Sequence, residues 1–255
     1  MLLTIDIGNS HIVLGGFEGK ELAFSARMVT QTYRTDDQYA VEINQMMGLY
    51  RIDPGRIDGI IISSVVPELT SPFRRALRKV MNVTPLVLGP GIKTGLNILI
   101  DDPGQLGPDL VAAAVAAIAL YPSPCLIYDL GTAITISVVD QKSNFAGCVI
   151  CAGTRLMLDA LTSHTALLPH VGIEEPASVI GKNSVVSMQS GLVYGTASML
   201  DGLADRIERE LGSPAALIAT GGLARSIVPH CTHKFIIRDN LLLEGLRIIY
   251  EKNMK

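Results

Sequence analysis

Tryptophan is absent from this chain, only 5% of its residues are aromatic, and only 18% are charged. A protein that grips nucleic acid needs Lys and Arg gathered on one face or stripe. Here 21 basic and 24 acidic residues leave a net charge of −3, and the basic ones are scattered singly, so no DNA or RNA partner is expected. The four cysteines, Cys125, Cys148, Cys151 and Cys231, are too few and too irregular for a disulfide framework in 255 residues, and reduced thiols are expected. Long hydrophobic runs are also missing. The longest, Leu110 to Tyr121, is alanine-rich and falls short of the roughly 18 residues that suggest a membrane span, so it reads as a buried helix and no membrane partner is expected. The chain enters Leu2-Leu3-Thr4-Ile5 without a basic stretch or a small-residue cleavage site, which reads as a cytoplasmic protein. Nothing resembles a long Gly/Ser or Pro linker, so any two lobes are expected to pack closely.

What is present is apolar residue, 48% of the chain, enough to bury a large core without metals or crosslinks. The most informative pattern is internal. Leu2 to Phe17 (LLTIDIGNSHIVLGGF) reads as a strand, a tight Asp-x-Gly turn carrying a hydroxyl residue, and a second strand. Leu126 to Asp140 (LIYDLGTAITISVVD) repeats the design, and aligning Asp6 with Asp129 also aligns Gly8 with Gly131, 123 residues later and close to half the chain. A duplicated α/β unit is the simplest explanation. Gly59 to Val65 and Thr84 to Leu88 read as buried strands, Asp37 to Leu49 and Thr70 to Val80 as helices. In the second half, Leu156 to Leu161, Val186 to Leu211 and Asn240 to Lys252 have helical spacing, and Ala215 to Thr220 reads as a buried strand ending at Gly221-Gly222. The boundary is expected near the Pro/Ser-rich turn Tyr121 to Pro124, giving lobes 1–121 and 122–255, with the last helix able to return to the first lobe.

Two acidic turns facing one cleft would suit a nucleoside triphosphate, because each turn offers amides to phosphate and a carboxylate to a cation. The plain alternative is that each is a hairpin turn that favours Asp and Gly for conformational reasons. The loop Thr220-Gly221-Gly222 either lets a base or ribose approach the backbone or is an ordinary strand-to-helix turn. Asp109, in Gly107-Pro108-Asp109-Leu110, offers an acid at a helix start, either as a cap or as a catalytic base. Cys148-Val149-Ile150-Cys151 lies in an apolar β-like run without a second pair at metal spacing, and reads as structural. His230-Cys231-Thr232-His233 reads as a surface loop, and His11 as a partly exposed strand histidine.

In order along nearly the whole chain, these segments resemble the type III pantothenate kinase family of the acetate kinase, sugar kinase, Hsp70 and actin superfold. Asp6-Ile7-Gly8-Asn9-Ser10 resembles its first phosphate motif, and Asp129-Leu130-Gly131-Thr132-Ala133-Ile134-Thr135 its second. Ser63-Ser64-Val65-Val66-Pro67 and Gly91-Ile92-Lys93-Thr94-Gly95-Leu96 are similar to its SSVVP and GxKTGL stretches. Gly107-Pro108-Asp109-Leu110 stands at its Gly-x-Asp-Arg site, Gly181-Lys182-Asn183-Ser184 with Met188-Gln189-Ser190-Gly191 resembles GKNT and MQSG, and Thr220-Gly221-Gly222 its adenosine-side motif. The resemblance implies duplicated ribonuclease H-like, actin-like ATPase lobes with a central nucleotide cleft. It implies ATP-dependent phosphorylation of the primary hydroxyl of pantothenate, the first step of coenzyme A synthesis, by a homodimer requiring Mg²⁺ and K⁺ or NH₄⁺. By position, Asp109 would be the base, Asp6 would hold the metal–nucleotide, and Asp129 the monovalent cation. Gly8, Asn9, Ser10 and Thr132 would touch phosphate, and Gly221 and Gly222 the adenosine side. Gly107, Pro108, Asp109, Leu110, Ile100 and Ser184 would line the acceptor site. Leu110 stands where the family carries arginine, Ile100 where it carries tyrosine, Ala152 where it carries proline, Cys148 at a glycine and Ala113 at a frequent asparagine. Those departures leave open a kinase of another small hydroxyl compound, or a nucleotide-binding regulatory relative.

Overall fold

Leu2–Ile7 is mostly apolar and lies deep in the fold, the pattern of a strand covered on both faces. It is the first strand, β1, of a computed structural model that describes residues 1–254 and divides into two units. The first unit holds residues 1–95, 102–116 and the chain from Leu241 onward; the second holds 96–101 and 117–240.

In the first unit β1 is followed by β2 (His11–Glu18) and β3 (Glu21–Val29) in an antiparallel meander. Helix α1 (Asp36–Leu49) starts at Thr35, whose side chain accepts from the Gln38 N–H while the Gln38 side chain accepts from the Thr35 N–H, a reciprocal cap. Then come β4 (Gly59–Ser64), parallel to β1, helix α2 (Pro67–Met81) and the two-residue strand β5 (Leu86–Val87), giving the sheet order β3-β2-β1-β4-β5. The expected start of α2 at Thr70 falls a turn late, because Pro67 has the fixed φ suited to a first helical position and needs no N–H there. Leu3, Ile5, Ile7, Ile60 and Ile62 pack with Tyr39, Ile43, Phe73 and Leu77 from the helices in one core.

Strand β6 (Asn97–Ile98) belongs to the second unit, and helix α3 (Pro108–Leu120) begins in the first. The second unit continues with β7 (Cys125–Leu130), β8 (Ala133–Val139), β9 (Asn144–Ala152) and α4 (Thr154–His164). After a long loop come α5 (Ser184–Ser190), a π-helical turn at Gly191–Gly195, α6 (Thr196–Leu211), β10 (Ala216–Thr220), the short α7 (Ala224–Ile227) and β11 (Ile236–Ile237). The single helix expected over 186–211 therefore starts at Ser184, where the Asn183 side chain accepts from Val186 N–H, and contains a π turn that periodicity alone does not reveal.

The sheet of this unit runs β11-β10-β7-β8-β9-β6. Without β6 it repeats the first sheet: a three-stranded meander, a parallel neighbour on its first strand, and a short parallel edge strand. The duplication seen in the sequence is thus a duplication of topology. Leu126, Tyr128, Leu130, Ile134 and Ile136 meet Ala197, Leu200 and Ala204 of α6 in the second core.

The last helix, α8 (Leu241–Met254), returns to the first unit and packs on β1, β2 and β4. Its end is tied to the GxKTGL stretch. Asn253 accepts from Lys93 N–H at 3.0 Å and donates to Lys93 O at 3.0 Å, and Lys252 Nζ donates to Thr94 O at 2.8 Å. Among the described residues no helix is long and apolar enough to cross a membrane.

Candidate active site

In the first unit the acidic turn follows β1. Asp6 is half-buried and stands in register with Val13 on β2 and Ser63 on β4. Gly8 N–H donates to His11 O at 3.0 Å, closing the loop. Thr30, just past β3, fixes it from the side: its N–H donates to Ser10 O at 3.0 Å and its Oγ1 to Gly8 O at 2.7 Å. Asn9 and Ser10 are held exposed on the resulting tip. Thr30 carries no local signal of this role because it lies far from Asp6 in sequence, and only the meander brings it back.

The second unit builds the same turn with one residue fewer. Asp129 stands in register with Thr135 on β8 and Thr220 on β10. Gly131 N–H donates to Ala133 O at 3.2 Å, and Thr132 is exposed at the tip. Two glycines brace this turn. Gly221, at the end of β10 with φ +93°, lies so close that an added Cβ would meet Asp129 Oδ1 and the Leu130 backbone. Gly153, at the end of β9, donates its N–H to Thr132 O at 3.1 Å and likewise has no room for a Cβ against the Gly131 and Thr132 carbonyls. The structure thus joins Asp129, Thr132 and Gly221, with the exposed Gly222 beside them, at one end of the sheet. Gly153 went unnoticed in the sequence, its only sign being its place directly before a helix.

Asp109 belongs to the first turn of α3. Pro108 opens the helix and Val111 N–H donates to Gly107 O at 3.1 Å, so Gly107, not Asp109, occupies the capping position. Asp109 Oδ1 accepts from Leu110 N–H at 2.9 Å. Burial raises the Asp109 pKa above the usual carboxylate value, with that backbone hydrogen bond opposing the shift. Desolvation makes this carboxylate a stronger proton acceptor than one in water, an effect that its place at a helix start partly offsets. Leu110 is half-buried beside it and offers no donor from its side chain.

The other expected acceptor residues lie in the second unit on separate elements. Ile100 is half-buried in a bend after β6, and Ser184 is exposed as the first residue of α5. Ser184 opens onto a cavity of about 670 Å³ within that unit, whose lining includes the polar Lys182, Asn183 and Ser187 and the apolar Met157, Leu161 and Met188.

Among the described residues no group of three or more His, Cys, Asp or Glu side chains is placed to hold a metal. All four cysteines are free thiols. The 230–233 segment is instead a loop held by Asp201, whose carboxylate accepts from Thr232 N–H at 2.7 Å and His233 N–H at 3.1 Å. A single carboxylate on each turn fits a magnesium ion that takes most of its oxygens from nucleotide phosphates and water. It does not fit an all-protein cage.

Solved structures with the same fold include the activator of 2-hydroxyisocaproyl-CoA dehydratase from Clostridium difficile, solved with bound ADPNP, at 13% identity and TM-score 0.55, covering 99% of this chain and 93% of that one. The ROK hexokinase from Thermus thermophilus matches at 14% identity and TM-score 0.51, covering 100% and 99%. The duplicated sheets therefore have the ribonuclease H-like fold of actin-like ATPases and sugar kinases. Residues 2–206 match the model of the type III pantothenate kinase family. Curated members from Exiguobacterium (40% identical, 100% of both chains) and Myxococcus xanthus (41% identical, 99% of both) align from end to end. The chain belongs to the type III pantothenate kinase family.

Proposed function

We propose that this protein is an ATP-dependent kinase that phosphorylates the primary hydroxyl of pantothenate to 4′-phosphopantothenate, as the names of its relatives suggest. The observation that carries the reading is the repeated acidic turn: Asp6 and Asp129 occupy the same register position in two sheets of the same topology, each followed by a glycine and an exposed hydroxyl residue. The ADPNP held by a fold neighbour supports a nucleotide as the ligand of this architecture.

Phosphoryl transfer asks a protein chiefly for positioning and charge stabilisation. Asp6 and the Gly8–Ser10 tip hold the metal–nucleotide complex, with Thr30 keeping the tip rigid. Thr132 supplies a hydroxyl to phosphate, Gly221 and Gly222 admit the adenosine side, and Asp129 holds K⁺ or NH₄⁺. Magnesium, when bound, neutralises charge on the phosphates. Asp109 orients the acceptor hydroxyl and takes its proton, the role for which burial has raised its proton affinity. Gly107, Pro108, Leu110, Ile100 and Ser184 shape the acceptor pocket. The working form is a cytoplasmic homodimer.

The apolar Leu110 and Ile100 favour a second reading in which the acceptor is another small hydroxyl compound. One assay separates the two: ATP consumption by the purified protein with Mg²⁺ and K⁺, comparing pantothenate with other pantoyl and polyol compounds, and K⁺ with Na⁺. Turnover dependent on pantothenate and on K⁺ is expected. Turnover with a polyol alone would establish the second reading, and nucleotide binding without any acceptor-dependent turnover would refute both.

A further inference from the structure

The Ser63-Ser64 pair divides its hydroxyls between two tasks, and only one is visible in the fold. Ser64 Oγ receives Thr70 Oγ1 at 2.9 Å and accepts from Val66 N–H at 3.3 Å, which secures the start of α2. Ser63 has no comparable use. It is 0% exposed, and its Oγ has no hydrogen-bond partner. A buried hydroxyl in that state carries an uncompensated desolvation penalty, and an alanine or valine would serve packing better.

Its position gives the reason. Ile60 and Ile62 face the α1–α2 core, so strand alternation sends Ser63 to the opposite face of the sheet. In-register residues on parallel strands share a face, and the register partner of Ser63 is Asp6. The second unit repeats the arrangement: Thr220, 5% exposed, is the register partner of Asp129 on the parallel neighbouring strand. Each acidic residue therefore has a buried hydroxyl-bearing residue beside it, at the equivalent place in two sheets.

We propose that Ser63 is a positioning residue for Asp6, its hydroxyl being the donor kept to orient that carboxylate toward the metal–nucleotide complex. The proposal rests on the reading that Asp6 holds this complex, and it adds a residue to which the reading gave no role. Ser63 acts without changing the chemistry: it fixes where the complex sits and leaves the acceptor hydroxyl to Asp109.

Three measurements on Ser63→Ala test it. Thermal melting should give a midpoint equal to or above the wild type, because the variant removes a hydroxyl that has no partner. Calorimetric titration should show affinity for Mg²⁺–ADP reduced by about tenfold, the lower end for a lost hydrogen bond to a charged group, with Mg²⁺-free ADP affinity nearly unchanged. Steady-state rates should show KM raised for the nucleotide and unaltered for the acceptor, and Ser63→Thr, which keeps the hydroxyl as Thr220 does, should restore most of the loss. Wild-type affinity for Mg²⁺–ADP in Ser63→Ala would overturn the proposal and leave the kinase reading standing. A melting point lowered by several degrees would overturn it in favour of a structural hydroxyl. A wild-type protein that binds no Mg²⁺–ADP would overturn both readings.

Discussion

Gly221 provides the sharpest test of how the second acidic turn is built. At φ +93° a residue with a Cβ is strained, at a cost of about 1–3 kcal/mol. In Gly221→Ala the new methyl would also lie 2.6 Å from Leu130 N and 2.7 Å from Leu130 C, where ordinary contact begins near 3.4 Å. Backbone atoms lack the freedom of a side chain to rotate away, so the turn must shift, and overpacking of this kind adds about 1–3 kcal/mol. Together the two effects amount to about 2–6 kcal/mol, or a fall in melting temperature of about 5–20 °C for a chain of this size. Gly212 after α6 separates them: its φ is +73° but an added Cβ meets nothing within 4 Å. Gly212→Ala should show only the dihedral cost, about 1 kcal/mol and a few degrees. Melts followed by circular dichroism, with a Mg²⁺–ATP titration well below the midpoint, give both readouts. Equal melting shifts in the two variants would refute the claim that close approach to Asp129 requires this glycine. Unchanged nucleotide affinity in Gly221→Ala would refute the claim that the turn must stay where it is.

Asp109→Asn should lower turnover by at least about 10² while sparing ATP binding; an unaffected rate rejects the base assignment. The same variant should be more stable than the wild type at pH 7. The folded carboxyl has a pKa raised above 3.8, so the stability linked to it is complete below that value and is lost as pH rises through the folded pKa, a loss the amide escapes. Chemical denaturation followed from pH 7 down toward 3.8 should show the gap narrowing as the pH falls through the raised folded pKa, and a less stable variant at pH 7 contradicts the argument. Burial pushes the Cys125 and Cys231 thiols up to about 12, whereas Cys148 is exposed on β9. A thiol reagent at pH 8 should therefore modify Cys148 in the folded protein and reach Cys125 and Cys231 only in denaturant, as peptide mapping would show. Early labelling of Cys125 would contradict the burial of β7.

Much of the fold was legible in the sequence because a repeat announces itself twice. Asp6 with Gly8 and Asp129 with Gly131 marked both turns, and apolar runs marked β1, β4, β7 and β10 at the centre of each sheet. Edge elements were harder to read. The strand read over Thr84 to Leu88 shortens to the two residues of β5, while β11, also two residues long, and β6, which pairs through Asn97 and Ile98 alone, leave no periodic trace. Of the site, the residues carried on strand ends were legible, since a strand end and a glycine are local signals. Thr30 and Gly153 were not, because what they do is decided by which strand returns beside the turn, a tertiary fact. Ser63 stood inside a recognised motif, but its separation from Ser64 in task follows from strand alternation and needed the register to appear.

The return of α8 sets a timetable for synthesis. Strands β1 and β4 leave the ribosome early, yet the helix that covers them and ties down Lys93 is made only from Leu241–Met254. At about 5–20 residues per second, the stretch between Gly95 and Leu241 keeps that sheet face waiting for roughly 7–30 s. During that interval residues 96–240 contain every segment of the second unit, so the half translated later can finish folding before the half translated earlier. A stop codon before Leu241 would accordingly leave its mark on β1 and β4, strands translated long before it.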